Sequence, residues 1–413
     1  MKNLILWLCY LSFLWTAHAQ GGFVIDHDDV DLFDHIPESY LEAARNTRML
    51  FSDRSVGQNV HDALNFLTYP TWAQTPASAR RDYTDDQWHW KTFNQSDWNT
   101  GLVPERIRFI PDPVRYDRSN WHFELKSGSW KELTQDFIAV LGPTYADSVD
   151  VWSFQFSYLN VTESETIADP LTGFFADQPN APDIGDLESF LANYPDHTFV
   201  YWTASLARGI GSSVSTSFND QLRDWCEANG KILFDFADIL SHTDQGTPCF
   251  DNRDGIPYTS QTGQMEDYPD DGYDHPAICQ DYTTETDGGH LGSVSAGSIR
   301  IIKGLWVLMA RIAGWDGQVS DLSPPATSEL HWQLYPNPVN QGTTLTIETG
   351  ILSWEGLISI FDPLGRCLFS EQVQQPGGKF SISLPGNTFP PGSYFLICAD
   401  QQSCSSIPFT VHE

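Results

Sequence analysis

The residue pattern predicts a large α/β module with a mainly parallel sheet covered on both faces, followed by a small antiparallel β-sandwich. Two observations carry this. Up to residue 316, apolar strand-like runs alternate with stretches of helical spacing. Beyond residue 331, helical spacing gives way to short alternating runs separated by Gly and Pro.

The first twenty residues carry an early lysine, Lys2, an apolar run from Leu4 to Trp15, and Ala17 and Ala19 around His18. This is the plan of a secretory signal peptide covering residues 1–19, with cleavage expected after Ala19. The apolar run is about a dozen residues, short of the ~20 that a bilayer span needs, and no other stretch of the chain is expected to span.

The α/β module is expected over residues 20–316. RMLFSD, DVWSFQF, HTFVYWTAS and KILFDFADI read as buried strands, rich in aromatic and β-branched residues. VGQNVHDALNFL, DLESFLANY and FNDQLRDWCEANG have helical spacing, and GLWVLMARIAGW closes the module. The alternation predicts a parallel sheet whose sites lie at the carboxyl ends of its strands. Two stretches depart from this plan. Residues 69–130 hold Trp72, Trp88, Trp90, Trp98 and Trp121 with little periodicity, as a functional insertion would. Residues 247–281 are acidic, and Cys249 and Cys279 bracket most of them as the favoured disulfide pair.

Residues 317–331 combine Pro, Ser and small polar residues and read as a linker. Residues 332–413 carry TLTIET, LISIFD, FSISLP and YFLICA, strands of a small sandwich. Cys398 and Cys404 stand where they can clip a terminal hairpin, and Cys226 sits in a helical pattern as a buried thiol.

Composition narrows the partners. With 54 acidic against 22 basic residues the net charge is -32, which opposes approach to a phosphate backbone, so nucleic acid is not an expected partner. Walker and Rossmann phosphate loops and paired CxxC motifs are absent from the sequence, and neither a cofactor nor a metal is expected. Asp235 and Asp238, with His242 nearby, raise the alternative of metal ligation, but structural hydrogen bonding is the favoured reading. The acidic run Asp267 to Asp274 lacks EF-hand spacing and reads as a solvated loop.

Catalytic chemistry has two candidate blocks. In RMLFSDRSVGQN, Ser55 falls just past a strand and at the start of a helix, where amides point outward and can stabilise an oxyanion. In TTETDGGHLG, Asp287 and His290 lie three residues apart in a Gly-rich loop before the last helix. A serine nucleophile needs a base, and the base needs a carboxylate to fix its tautomer. Each block has a plainer reading, a helix N-cap for the serine and a turn aspartate with a surface histidine for the other.

Together the blocks FSDRSVGQN and DGGHLG, with KILFDFADIL and the closing helix, resemble the SGNH (GDSL-like) hydrolase superfamily. The resemblance implies a flavodoxin-like three-layer α/β/α sandwich and an esterase mechanism through an acyl-enzyme. By this match Ser55 is the nucleophile, His290 the general base and Asp287 its orienting carboxylate. Asp53-Arg54-Ser55 replaces the family's Gly-Asp-Ser, and its separate oxyanion glycine and asparagine have no clear counterpart. Gly57, Asn59, Gln155 and Thr203 are the oxyanion candidates, with Ser157 and Ser205 as further polar residues at strand ends. An acylated carbohydrate is the expected ester, since the tryptophans can stack on sugar rings. The alternative is a catalytically inactive SGNH-fold surface protein that binds glycans.

The tail carries LYPNPVN, ISIFDPLGR and PPGSYFLI in order, and resembles the type A sorting domain of the type IX secretion system of Bacteroidota. This implies contact with that machinery and transit through the periplasm to the cell surface or medium. A monomer is expected.

Overall fold

The computed structural model describes residues 21–83, 90–179, 182–207, 211–251, 258–259, 265–266, 272–283, 291–292, 295–319, 333–342, 344–348, 353–363, 366–376, 379–383, 389–399 and 404–412. The signal peptide expected over residues 1–19 lies outside them. The chain divides into two compact units, Met1–Gln318 and Val319–Glu413.

The large unit is built on a six-stranded sheet: β1 (Val24–Ile25), β2 (Met49–Asp53), β3 (Trp121–Leu125), β4 (Val151–Phe154), β5 (Thr198–Trp202) and β6 (Ile232–Phe234). Their spatial order is β1-β6-β5-β4-β2-β3, with every pair parallel. Alternate side chains feed two cores. On one face Met49, Phe51, Val151, Val200 and Trp202 pack against α1 (Glu38–Asn46), α2 (Ser55–Phe66), α6 (Phe236–Ser241) and α7 (Ala296–Ile312). On the other, Leu50, Trp152, Tyr201 and Leu233 meet α3 (Trp130–Asp136), α4 (Ile184–Leu191) and α5 (Ser213–Ala228). The result is a three-layer α/β/α arrangement. Helix α7 is buried on all sides from Ala296 to Ala310, Arg300 and Lys303 included, as an all-round apolar pattern demands.

Three expectations need correction. KILFDFADI is strand only through Phe234; the Asp235 carboxylate then accepts from the Asp238 amide at 3.1 Å and starts α6. The stretch read as an insertion contains β3, an edge strand that alternates apolar and polar residues, with Trp121 buried and His122 and Leu125 exposed. Of the five tryptophans singled out in it, Trp72 and Trp121 are buried and donate to the Ile107 and Ala44 carbonyls, Trp98 is half-buried, and Trp88 and the Trp90 side chain lie outside the described residues.

In the small unit, β7 (Gln333–Tyr335), β9 (Thr344–Glu348) and β12 (Lys379–Ser383) pair as one antiparallel sheet in the order β7-β9-β12. The second has the order β8-β14-β13-β10-β11, from β8 (Val339–Asn340), β10 (Ser353–Phe361), β11 (Cys367–Pro376), β13 (Gly392–Ala399) and β14 (Cys404–His412). Period-two residues Leu345 and Ile347, Ile358 and Ile360, Tyr394 and Leu396, and Phe409 and Val411 fill the core. This sheet is mixed rather than wholly antiparallel, because β8 runs parallel to β14.

Candidate active site

Strand β2 is buried at all five positions and sits between β3 and β4. The chain leaves β2 towards β3 but leaves β4 towards β5, so the strand order reverses between β2 and β4. A crevice at the carboxyl ends is expected at such a reversal. Ser55 stands there, exposed, as the first residue of α2. Val56, Val60, Ala63 and Leu64 anchor the helix below it. The first amides of a helix have no intrahelical acceptor, which favours negative charge nearby.

Asp53, the last residue of β2, is 3% exposed, and neither carboxylate oxygen makes a hydrogen bond among the described residues. Burial pushes its pKa up to about 7, opposed by the nearby amides of Arg54 and Gly57 and by the Arg54 charge. Gly57 fits because it lacks a side chain: a Cβ there would lie 2.8 Å from the Asp53 Cβ. Its amide acts on Asp53.

The other candidates are partly committed. Gln155 follows β4 and donates through Nε2 to the Thr203 carbonyl at 2.8 Å, while its buried Oε1 makes no hydrogen bond among the described residues. The Thr203 hydroxyl donates to Asp235 Oδ1 at 3.0 Å and accepts from the Ala237 amide at 2.9 Å, so its hydrogen is already used. Asn59 is buried in the second turn of α2, with its Oδ1 making no hydrogen bond among the described residues. Ser157 accepts from the Leu159 amide, and Ser205 Oγ accepts from the Tyr158 amide at 2.9 Å.

Sequence reasoning missed Asn160. Buried after β4, it accepts from the Ser157 amide at 3.1 Å and donates to the Gly128 carbonyl at 2.9 Å, tying the loop after β3 to the loop after β4. Ser-x-x-Asn, a capping box in which Asn reaches back to the cap amide, was its only signal. Beyond β4 and β5, Tyr158, Leu159, Val161, Leu206, Ser212 and Pro276 help line a largely apolar cavity of about 390 Å³.

Asp287 and His290 lie outside the described residues. The flanks are fixed: Tyr282, Thr283 and Leu291 are buried, and Ser295 caps α7 by accepting from the Ser298 amide. Gly297 is required where α7 starts, since a Cβ would lie 2.6 Å from the Tyr282 carbonyl oxygen.

Cys249 and Cys279 form a disulfide, 30 residues apart in sequence. Their amides donate to the Ser241 and Leu240 carbonyls, so the bridge sits against the end of α6. The Cys226 thiol is buried and free, and burial pushes it up to about 12, away from thiolate chemistry. Asp235 is held structurally, accepting from Arg223 Nε at 2.6 Å and Nη2 at 2.9 Å. Asp238 faces His27 as well as His242, a cluster of metal-binding type.

Residues 333–409 match the family model described as the secretion system C-terminal sorting domain. No curated protein matches the chain at a significant level. Among solved structures, PorZ of Porphyromonas gingivalis, an essential bacterial surface component of its type-IX secretion system, is 20% identical over 22% of this chain, with a TM-score of 0.17. CopC from Methylosinus trichosporium OB3b is 18% identical over 20% of this chain and 97% of its own, with a TM-score of 0.16. A double mutant of the Cellulomonas fimi endo-β-1,4-mannanase is 11% identical over 72% of this chain, with a TM-score of 0.22. The chain spans 13% of the PorZ length and 55% of the mannanase length. None of these superpositions is close enough to assign a shared fold. Among the described residues no helix is long and apolar enough to cross a membrane. The sorting-domain match establishes the address: the C-terminal unit directs export by type IX secretion, to the cell surface or the medium.

Proposed function

We propose that the large unit is a secreted serine hydrolase of the SGNH type that cleaves an ester through an acyl-enzyme on Ser55. One observation carries the proposal: Ser55 is exposed at a helix start, at the carboxyl end of the strand beside the reversal in strand order. In this reading His290 takes the Ser55 proton as Oγ attacks the ester carbonyl, and Asp287 holds the imidazole tautomer. Amides at the start of α2 face the developing oxyanion, with the Asn59 side chain and Gln155 as further candidates. The apolar cavity of about 390 Å³ suits an acyl chain or an aryl group. Trp72 and Trp121 are buried and so cannot stack on sugar rings, whereas Trp98 is half-buried; both an acylated carbohydrate and an unspecified ester fit this reading.

Turnover of aryl acetates and acetylated xylan by the purified protein, beside Ser55→Ala and His290→Ala, tests this. Hydrolysis by wild type that both variants lose is the expected result; full activity in Ser55→Ala excludes the mechanism. A second reading, a glycan-binding surface protein without turnover, is favoured by the committed Thr203 hydroxyl and by buried Asp53 in place of the family's glycine. Glycan binding together with absent ester turnover selects it.

A further inference from the structure

At the sheet edge formed by β1, three side chains with metal-binding chemistry converge. His27 follows β1, while Asp238 and His242 lie four residues apart on α6 and at its C-terminal end. The Asp238 carboxylate spans both rings: Oδ1 is 2.5 Å from His27 Nδ1, and Oδ2 is 3.2 Å from His242 Nδ1. The two imidazoles stack, with centroids 4.1 Å apart and planes 12° from parallel. One donor atom from each residue falls within 4.8 Å of the others. A tetrahedral ion with ligands at ~2.0–2.1 Å spaces them ~3.3 Å apart, so this group closes around one through shifts of under ~1 Å.

The surroundings are prepared for such an ion. The His27 amide donates to Asp238 Oδ1 at 3.0 Å, which fixes the carboxylate from the backbone. Without an ion, His27 Nδ1 donates to the Asp238 carboxylate; a bound ion displaces that proton, and Asp28 Oδ1, 3.4 Å from Nε2, then holds the remaining proton on Nε2. His242 Nδ1 also lies 3.0 Å from the Asp238 carbonyl oxygen, a hydrogen bond that a bound ion replaces. Side-chain exposures of 19%, 19% and 23% leave a further coordination position for water. Two imidazoles and one carboxylate favour a zinc-like cation over calcium or magnesium, which prefer all-oxygen cages.

We propose that His27, Asp238 and His242 bind one zinc-type divalent cation, which clips the N-terminal segment to α6 across 211 residues of sequence. Strand β1 is only two residues long and pairs with β6 at two positions, so a clip at its end adds to the core packing of Val30 and Phe33 just beyond it. Three strands separate β1 from β2, so the site is distinct from Ser55.

The test is zinc titration of the metal-stripped full chain, carrying no histidine tag, in excess calcium to occupy general acidic sites. Wild type is expected to bind one zinc per chain, to give a tetrahedral cobalt spectrum, and to melt at higher temperature with zinc. His27→Ala and His242→Ala, checked for folding by circular dichroism, lose affinity by about 100-fold or more, and Asp28→Asn by about 10-fold. Absence of zinc binding by wild type overturns the proposal without recourse to a variant. Unchanged affinity in folded His242→Ala overturns it equally, by moving the ion elsewhere.

Discussion

Asp53 and Gly57 meet under the first turn of α2, so closely that a Cβ on Gly57 would stand 2.8 Å from the Asp53 Cβ. The strand end and the helix carrying Ser55 are therefore set by one contact. Gly57→Ala is expected to destabilise the protein by about 1–2 kcal/mol, overpacking outweighing the gain in helix propensity. Adding Asp53→Gly should recover part of that loss, which a double-mutant cycle from urea unfolding measures.

Asp53 also makes stability depend on pH. Its folded value of about 7 lies above the ordinary 3.8, so the native state holds the proton more tightly than the unfolded chain does. Stability from this group is full below pH about 4, falls as pH rises towards about 7, and is lost above it, by on the order of 4 kcal/mol. Asp53→Asn, which cannot ionise, is expected to be more stable than wild type at pH 8 and to converge with it near pH 4. Denaturant unfolding at the two pH values decides this.

Thr203 separates a structural role from a catalytic one. Its hydroxyl bridges Asp235 and the Ala237 amide, so Thr203→Val should cost about 1–3 kcal/mol by stranding buried partners. Turnover per folded molecule should stay within a few-fold of wild type. A loss of 100-fold or more in kcat without loss of stability would instead mark it as an oxyanion donor.

The disulfide closes a loop of 30 residues, for which chain entropy gives about 3–4 kcal/mol. Cys249→Ser/Cys279→Ser is expected to lower the melting temperature, and dithiothreitol should reproduce the effect on wild type but not on the variant.

Much of this was legible in the residues because burial and periodicity coincide. RMLFSD, DVWSFQF and HTFVYWTAS are strands buried on both faces, and the cysteine pair and sorting blocks carry local signals. Trp121–Leu125 was not legible, since an edge strand alternates polar and apolar residues without the continuous run expected of parallel strands. His27 was not legible either, because Asp238 lies 211 residues away. The commitment of Thr203 depends on Asp235, which only the tertiary fold brings across from the neighbouring strand end.

Export has its own test. Deleting residues 319–413 should leave the large unit trapped in the periplasm, detected by fractionation of the native host.

The nucleophile is the central claim, and fluorophosphonate labelling followed by peptide mass spectrometry addresses it most directly. A single adduct on Ser55, absent in Ser55→Ala and strongly slowed in His290→Ala, is the predicted result. Folded wild-type protein that takes no label, or takes it on another residue, contradicts the account.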